Sequence, residues 1–307
     1  MQKTFLCAAL CGLVAGTASA QSAVTIYGKL DIGARKAIGS DDKEIATGGD
    51  SRIGFRGVED LGGGLKAFFG IEHRFFPDTG MQDGGQFWKG ISHVGLQGGF
   101  GRFSLGRQYT AAFSLAQNQI DPFGGDTVAQ LRDVTMRVGG ITKVRVDGSL
   151  RYEFSAAGFT VAASTAESDK NGGPDRPLAL GGLYRSGPLM LAAGYEDPAG
   201  ANDEQWNIGG GYTFGNATVT AGYASGTTDA DVDAKGWMLG LNLPLGAGTF
   251  KAAYGQQKRD DTTFARKLGV GYHYALSKRT LIYADVGHDS KAPTEKTGYD
   301  LGILHTF

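Results

Sequence analysis

The sequence predicts an all-β protein: a 16-stranded antiparallel transmembrane β-barrel with short periplasmic turns, long external loops and an inward-folded third loop. About sixteen segments alternate apolar residues with small or polar ones at period two, and the connections between them alternate between tight and long. Beyond the first twenty residues, no apolar run approaches the roughly eighteen residues of a membrane-spanning helix. A membrane protein with this sequence must therefore cross the bilayer as a closed barrel.

The first element is the segment "MQKTFLCAALCGLVAGTASA", with an early lysine, an apolar stretch and a small-residue ending. It predicts a secretory signal peptide over 1–20, cleaved after Ala20, and a single barrel domain over 21–307. Cys7 and Cys11 both lie inside the signal, so the predicted mature chain has no thiol for disulfides, zinc binding or nucleophilic catalysis.

The predicted mature chain carries 29 basic and 31 acidic groups, because Lys3 is the one charge removed with the signal. A net charge near −2 argues against nucleic-acid binding, which requires a basic excess. The whole chain contains 51 glycines, or about one residue in six, against a usual ~7%. A barrel wall whose strands bend without a central core suits that composition.

The strands follow from the period-two segments, beginning with "AVTIYGKLDIGAR" and ending with "GYDLGILHTF". In the last segment Leu301, Ile303 and Phe307 share one face, so we expect this strand to pair with the first and to turn that face to lipid. The predicted strands are 23–35, 51–58, 65–76, 87–97, 102–108, 143–154, 158–167, 178–186, 188–196, 204–214, 216–224, 235–243, 248–257, 265–275, 280–288 and 298–307.

The connections alternate in length. Tight links such as "GGFG" (98–101) and "FGN" (214–216) take turns with long polar ones such as "KAIGSDDKEIATGGD" (36–50) and "PDTGMQDGGQ" (77–86). Short turns at one end and long loops at the other are typical of outer-membrane barrels. A soluble β-sandwich is the alternative, although sandwiches do not normally alternate loop length so regularly.

One connection, 109–142, is too long for a loop without a role of its own. It carries apolar side chains that a free external loop would not need: Phe113, Leu115, Ile120, Phe123 and Leu131. We expect it to pack on the inner wall of the barrel. An external loop docked on a neighbouring molecule is the alternative.

Four parts of the chain resemble the Gram-negative general porin family, especially the porins of β-proteobacteria: "SRIGFRGVEDLGGGLKAFF" (51–69), "GGFGRFSLGRQYT" (98–110), "DPFGGD" (121–126) and the C-terminal aromatic residue. The resemblance covers essentially the whole predicted mature chain. It implies a trimeric outer-membrane barrel whose third loop narrows the pore, and passive diffusion of ions and small hydrophilic solutes.

In that family a ladder of basic side chains on the wall faces acidic groups on the inward loop. By motif match, the resemblance places this ladder on Lys29, Arg52, Arg107 and Arg145. The period-two pattern agrees for Arg52, which alternates against apolar Ile53. It disagrees for Arg107, which shares its face with Leu105 unless a bulge re-aims it.

Two further charges, Arg74 and Glu72, alternate against Ile71 and are expected to face the lumen. The inward loop departs from enterobacterial relatives, because Pro122 stands where they have a glutamate. Asp121 and Asp126 are therefore the expected sources of negative charge on the loop.

Excess basic groups in a narrow pore favour anions. Two like charges about 7 Å apart repel by roughly 0.6–2.4 kcal/mol, so such a ladder needs opposing carboxylates or mobile anions. Acidic external loops oppose that effect, and we predict a weak anion preference. The alternatives are a channel selective for one solute class and an adhesive or structural barrel.

No metal-ligand spacing or nucleophile motif accompanies the five histidines, so we expect no enzyme, catalytic residue, metal site or cofactor. The expected partners are ions and small hydrophilic solutes, outer-membrane lipid and lipopolysaccharide, and further copies in a homotrimer, with no nucleic acid.

Overall fold

The computed structural model describes residues 23–307, so the predicted signal peptide lies outside the described residues. Within this range seventeen antiparallel strands form one sheet, of which sixteen close the barrel and β2 is a short strand within the first long loop. The strands are β1 (Ala23–Lys36), β2 (Lys43–Ala46), β3 (Arg52–Gly62), β4 (Leu65–Arg74), β5 (Ile91–Gly98), β6 (Gly101–Tyr109), β7 (Arg145–Ala156), β8 (Phe159–Thr165), β9 (Leu178–Ser186), β10 (Leu189–Asp197), β11 (Glu204–Phe214), β12 (Ala217–Thr227), β13 (Asp233–Leu245), β14 (Gly248–Arg259), β15 (Thr262–Ala275), β16 (Thr280–Asp289) and β17 (Thr297–Thr306).

The barrel closes between its first and last strands. The first half of β1 pairs with β3, and its second half pairs with β17 from Lys29 opposite Thr306 to Lys36 opposite Tyr299. At the end of this seam Gly28 and Phe307 exchange two backbone hydrogen bonds, of 3.0 and 3.2 Å. The predicted pairing is confirmed, and it joins the two ends of the sheet into a closed barrel.

The tight turns and long loops segregate to opposite ends of the barrel, as predicted. Six of the seven turns at one end consist of two residues between strands, while the loops at the other end include 37–51, 75–90 and 110–144. One connection at the loop end is also tight: Asp260 and Asp261 join β14 to β15 with φ values of 43° and 62°. Their positive φ values are those of a two-residue hairpin turn.

The two faces of the wall differ in polarity as a barrel in lipid requires. On β1, Val24, Ile26 and Leu30 are exposed on the outside, whereas Lys29 and Asp31 on the other face are buried inside. A soluble sandwich would bury its apolar rows instead, so that alternative is wrong. Within the described part of the chain, no helix is both long and apolar enough to span a membrane.

The third long loop, which we call the inward loop (110–144), lies inside the barrel. It contains α1 (Ala111–Leu115), a 3-10 helix (Gln117–Gln119) and α2 (Arg132–Thr135). Its apolar side chains pack on the inner wall in one buried cluster, with Ile120, Leu131 and Met136 from the loop and Met190 and Met238 from the wall. The predicted inward packing is confirmed, and the external docked loop is wrong.

Small residues on the inner wall allow this close approach. A Cβ at Gly269 would collide with the carbonyl oxygen of Ala129, and one at Gly287 would collide with that of Val128. The wall therefore needs glycine where the loop backbone rests against it. This contact explains part of the unusual glycine content.

Candidate functional site

A water-accessible space of about 470 Å³ lies between the inward loop and the wall of the barrel. We call it the lumenal cavity. Its charged lining consists of six arginines and three aspartates, which leaves an excess of three positive charges. They are Arg35, Arg52, Arg74, Arg132, Arg137, Arg145, Asp50, Asp126 and Asp133.

Three basic residues stand side by side on neighbouring strands of the wall. Lys29 on β1 lies opposite Arg52 on β3, and Arg52 lies opposite Arg74 on β4. Like charges opposite each other repel, so such a row needs compensation. Buried Glu72 supplies part of it: its carboxylate lies 2.9 Å from Arg74 Nε and 3.6 Å from Arg52 Nε. Glu72 therefore stabilises the arginines from within the wall.

Arg145 has a different environment. Its Nη2 donates a hydrogen bond of 2.6 Å to the hydroxyl of Tyr109, and its guanidinium lies 4.3 Å from the centre of that ring. Arg74 donates to the same hydroxyl at 3.0 Å. Among residues 23–307, no carboxylate lies within ion-pair distance of Arg145. Its charge is thus available to an anion in the lumen.

The two aspartates predicted on the inward loop occupy different places. Asp126 lines the lumenal cavity and lies 2.8 Å from Lys29 Nζ, whose side chain is 7% exposed. Asp121 is buried within the loop, where its carboxylate accepts backbone hydrogen bonds from Phe123, Gly125, Leu131 and Arg132. Asp121 therefore holds the loop together and does not line the cavity.

Burial raises the pKa of Asp121, against the backbone hydrogen bonds that lower it. Asp133, at the start of α2, shows the reverse balance. Burial would raise the pKa of Asp133, but the guanidiniums of Arg132 and Arg137, each 3.1 Å away, lower it overall. The inward loop thus carries basic as well as acidic groups.

Arg107 does not line the lumenal cavity. The pairing of β6 with β7 shifts register between Gly106 and Gln108, where Gly106 has a φ of 124°. Beyond this bulge the Arg107 guanidinium lies 2.7 Å from Asp147 and donates to the carbonyl of Lys89 at 2.8 Å. The bulge re-aims the side chain, but toward an acidic partner outside the cavity.

Of the residues predicted from the sequence, Arg52, Arg74, Arg145 and Asp126 line the cavity, and Lys29 and Glu72 support it from the wall. The prediction omitted Arg35, Asp50, Arg132, Asp133 and Arg137. Arg35 could have been found, because it shares the inward parity of Lys29 and Asp31. The other four lie on loops, where period two gives no direction.

The attachment of the inward loop depends on another residue that the pattern did not single out. Glu196 on β10 is 1% exposed, and its carboxylate accepts hydrogen bonds from the Thr110 hydroxyl at 2.9 Å and from the Lys143 backbone N–H at 2.6 Å. Thr110 begins the loop and Lys143 lies near its end. Glu196 therefore fixes both ends of the loop to the wall.

Comparison with known proteins decides the family. The sequence profile described as Gram-negative porin matches residues 6–292. The chain belongs to the Gram-negative porin family. An outer membrane porin protein of Delftia acidovorans is 30% identical to this porin over an alignment of 360 positions, which covers 100% of both chains.

Two solved structures resemble the porin. An anion-selective porin from Comamonas acidovorans has 25% identity and a TM-score of 0.80, over 94% of this chain and 100% of that one. OmpT of Vibrio cholerae, in its trimer form, has 17% identity and a TM-score of 0.72, over 93% of this chain and 99% of that one. The second likeness shows the fold alone.

As a member of this family, the protein is an outer-membrane channel for passive diffusion. Its relatives are channels and not enzymes. Within the described residues, no group of three or more His, Cys, Asp or Glu side chains is arranged to hold a metal ion. The boundaries of the signal peptide and of the barrel domain stay predictions.

Proposed function

We propose that this porin is a weakly anion-selective diffusion channel in which the charged residues of the lumenal cavity form the constriction. The observation that carries this proposal is the excess of three positive charges in the cavity. Rings of basic groups in a narrow pore attract anions and repel cations. The anion-selective porin from Comamonas acidovorans, 25% identical over nearly the whole chain, supports the same sign of selectivity.

The charges are not simply basic on the wall and acidic on the loop. Arg132 and Arg137 both lie beside Asp133, so the loop neutralises much of its own negative charge. Asp126, the remaining loop carboxylate of the cavity, is paired with Lys29. Arg145, on the wall, faces the lumen without a carboxylate partner among the described residues. The cavity-lining charges of the inward loop therefore cancel, and the excess of positive charge comes from the wall.

We further propose that the porin assembles as a homotrimer in outer-membrane lipid and contacts lipopolysaccharide. The trimer form of OmpT, which has the same fold, supports the assembly, and the exposed apolar outer face supports the contact with lipid. Cross-linking of the detergent-extracted protein tests the assembly: trimeric products support it, and a monomer alone contradicts it.

The channel itself is tested by the purified protein in a planar bilayer under a gradient of potassium chloride. We expect stepwise conductance and a zero-current potential of the sign produced by chloride. Arg52→Ala and Arg145→Ala should each move this potential toward cation preference, because each removes a positive charge from the lumen. A correctly folded barrel that stays silent, or a cation-selective one, would contradict the proposal.

A further inference from the structure

A second cavity, of about 190 Å³, lies beneath the inward loop, between the loop and the tight turns. Tyr109, the last residue of β6, and Ser114, near the start of the inward loop, line one end of this cavity. Arg102 and Glu153 line the other end, close to the tight turn at 99–100 that precedes β6. A solute that has passed the lumenal cavity meets this second cavity on its way to the periplasm.

Among the described residues around this cavity, one cation is left without a carboxylate partner. Glu153 lies opposite Arg102 in the pairing of β6 with β7, but its carboxylate is bound to Arg151 at 2.6 Å. Arg151 is further occupied by Ser114, to whose hydroxyl it donates at 2.8 Å. Within the part of the chain that the structure describes, no carboxylate lies within ion-pair distance of Arg102. Arg102 therefore retains its hydrogen-bonding capacity and its charge.

Aromatic packing holds this free guanidinium in place. It lies 3.7 Å from the centre of the Phe68 ring, a distance at which a cation is attracted to the ring face. The ring in turn rests against Gly95, where a Cβ would come within 2.5 Å of it, and meets the imidazole of His93 edge-on. The Arg102 guanidinium is thus held in position against the apolar face of the Phe68 ring.

The other polar groups of the cavity are largely satisfied. Ser104 donates to Gln108 at 2.5 Å, and the Gln108 amide donates to the backbone carbonyl of Ser104. Among the described residues, His93 Nδ1 is buried without a hydrogen-bond partner. Because that nitrogen is buried, the group left to hold an anionic ligand is the Arg102 guanidinium.

We propose that this cavity binds a small aromatic monocarboxylate of the benzoate class, with the carboxylate on Arg102 and the ring among the apolar atoms. The proposal rests on the proposed anion channel, through which such a solute arrives. The volume fits, because an apolar cavity of about 150 Å³ holds one benzene ring. A hydrated phosphate fits less well, since it needs donors on several sides and, among the described residues that line this cavity, only Arg102 has a free guanidinium.

The test uses 4-fluorobenzoate and the complete detergent-solubilised porin, with fluorine NMR as the readout. We expect saturable line broadening that unlabelled benzoate reverses and that neutral benzamide does not. Arg102→Gln should weaken the apparent affinity at least about tenfold, because it removes a charge-assisted hydrogen bond. Arg102→Lys keeps the charge but loses the fork of donors. Its apparent affinity should therefore lie between that of the wild type and that of Arg102→Gln.

Arg279→Gln is the matched control. It makes the same change of charge on an exposed arginine in the turn between β15 and β16, at the same end of the barrel. It should bind like the wild type, and all variants should keep the β-sheet circular dichroism spectrum. Equal binding by the Arg102→Gln and Arg279→Gln variants, or no saturable binding by the wild type, would overturn the site.

Chloride conductance of the same preparations separates this site from the channel. Wild-type protein that conducts chloride but shows no saturable benzoate binding leaves the proposed function standing and removes the site. Saturable binding that is lost in Arg102→Gln, while that variant still conducts chloride, supports the site.

Discussion

The carboxylate of Asp126 lies 2.8 Å from the ammonium of Lys29 and joins the inward loop to the first strand of the barrel. Lys29 is also 3.9 Å from the carboxylate of Asp31, which is 1% exposed. One lysine therefore compensates an aspartate on the wall and an aspartate on the loop. Asp126 is therefore a charge of the lumenal cavity, and Lys29 on the wall compensates it.

Neutralising the two loop aspartates should have different effects. Asp126→Asn removes a negative charge from the lumenal cavity, so we expect the zero-current potential to move further toward anions, by roughly fivefold in relative permeability if about 1 kcal/mol is involved. Asp121→Asn should leave selectivity nearly unchanged and destabilise the loop, because an amide cannot accept all four backbone hydrogen bonds. Zero-current potentials measure the selectivity, and current noise measures the destabilisation of the loop. Identical selectivity shifts in both variants would contradict the assignment.

Arg52 and Arg107 provide a matched pair on the wall. We expect Arg52→Gln to move the zero-current potential toward cations, because Arg52 lines the lumenal cavity. Arg107→Gln should change it much less, because Arg107 is bound to Asp147 away from the cavity. Both variants lose one positive charge, so a general effect of net charge would appear in both. A larger shift for Arg107→Gln would count against the constriction described above.

Glu196 is expected to control the rigidity of the inward loop. Glu196→Gln replaces one acceptor oxygen by an NH2 group, so the side chain no longer offers a separate acceptor oxygen to each of the Thr110 hydroxyl and the Lys143 N–H. We expect a noisier conductance and a loss of about 1–3 kcal/mol of stability, measured as a lower thermal midpoint. Glu204→Gln, at an exposed glutamate bound to the Tyr195 hydroxyl, is the control and should change neither. A quiet, fully stable Glu196→Gln channel would contradict this role.

The selectivity should depend on pH through Asp133. Because Arg132 and Arg137 hold the pKa of Asp133 below its ordinary 3.8, this carboxylate stays ionised until the pH falls below that value. The stability that it contributes is present above pH 3.8 and is lost as the pH falls through the lower folded pKa. Protonation of Asp133 removes a negative charge from the lumenal cavity and should raise the anion preference. We therefore expect this part of the rise to appear only below about pH 3.8. A pH series of zero-current potentials tests this, and Asp133→Asn should lack that part of the change.

Much of the fold could be predicted from the sequence. Each of the sixteen barrel strands falls close to its predicted range, and the strands over 178–186 and 204–214 match it at both ends. Period-two alternation is a strong signal in a barrel because lipid and water contact opposite faces of every strand. The apolar side chains of the inward loop likewise indicated that it packs on a surface, and the inner wall is that surface.

The site could be predicted only in part. Arg52 and Arg74 could be predicted because parity fixes their direction, and Arg145 because the family resemblance indicates it. The resemblance did not distinguish Asp126 from Asp121. Arg132, Asp133 and Arg137 lie in and beside a short helix of the loop, where neither rule applies. The register shift that turns Arg107 toward Asp147 depends on a bulge at Gly106, which alternation alone does not reveal.

Polarity that repeats along the chain was enough to predict the barrel and the closure of the last strand on the first, and the length and apolar side chains of the third loop were enough to predict its inward packing. Which charges meet in the lumen became clear only from the folded chain. Asp121 and Asp126 are five residues apart and chemically identical, yet one binds backbone N–H groups inside the loop and the other binds Lys29. Their environments come from contacts between parts of the chain that are distant in sequence, and no local pattern encodes those contacts.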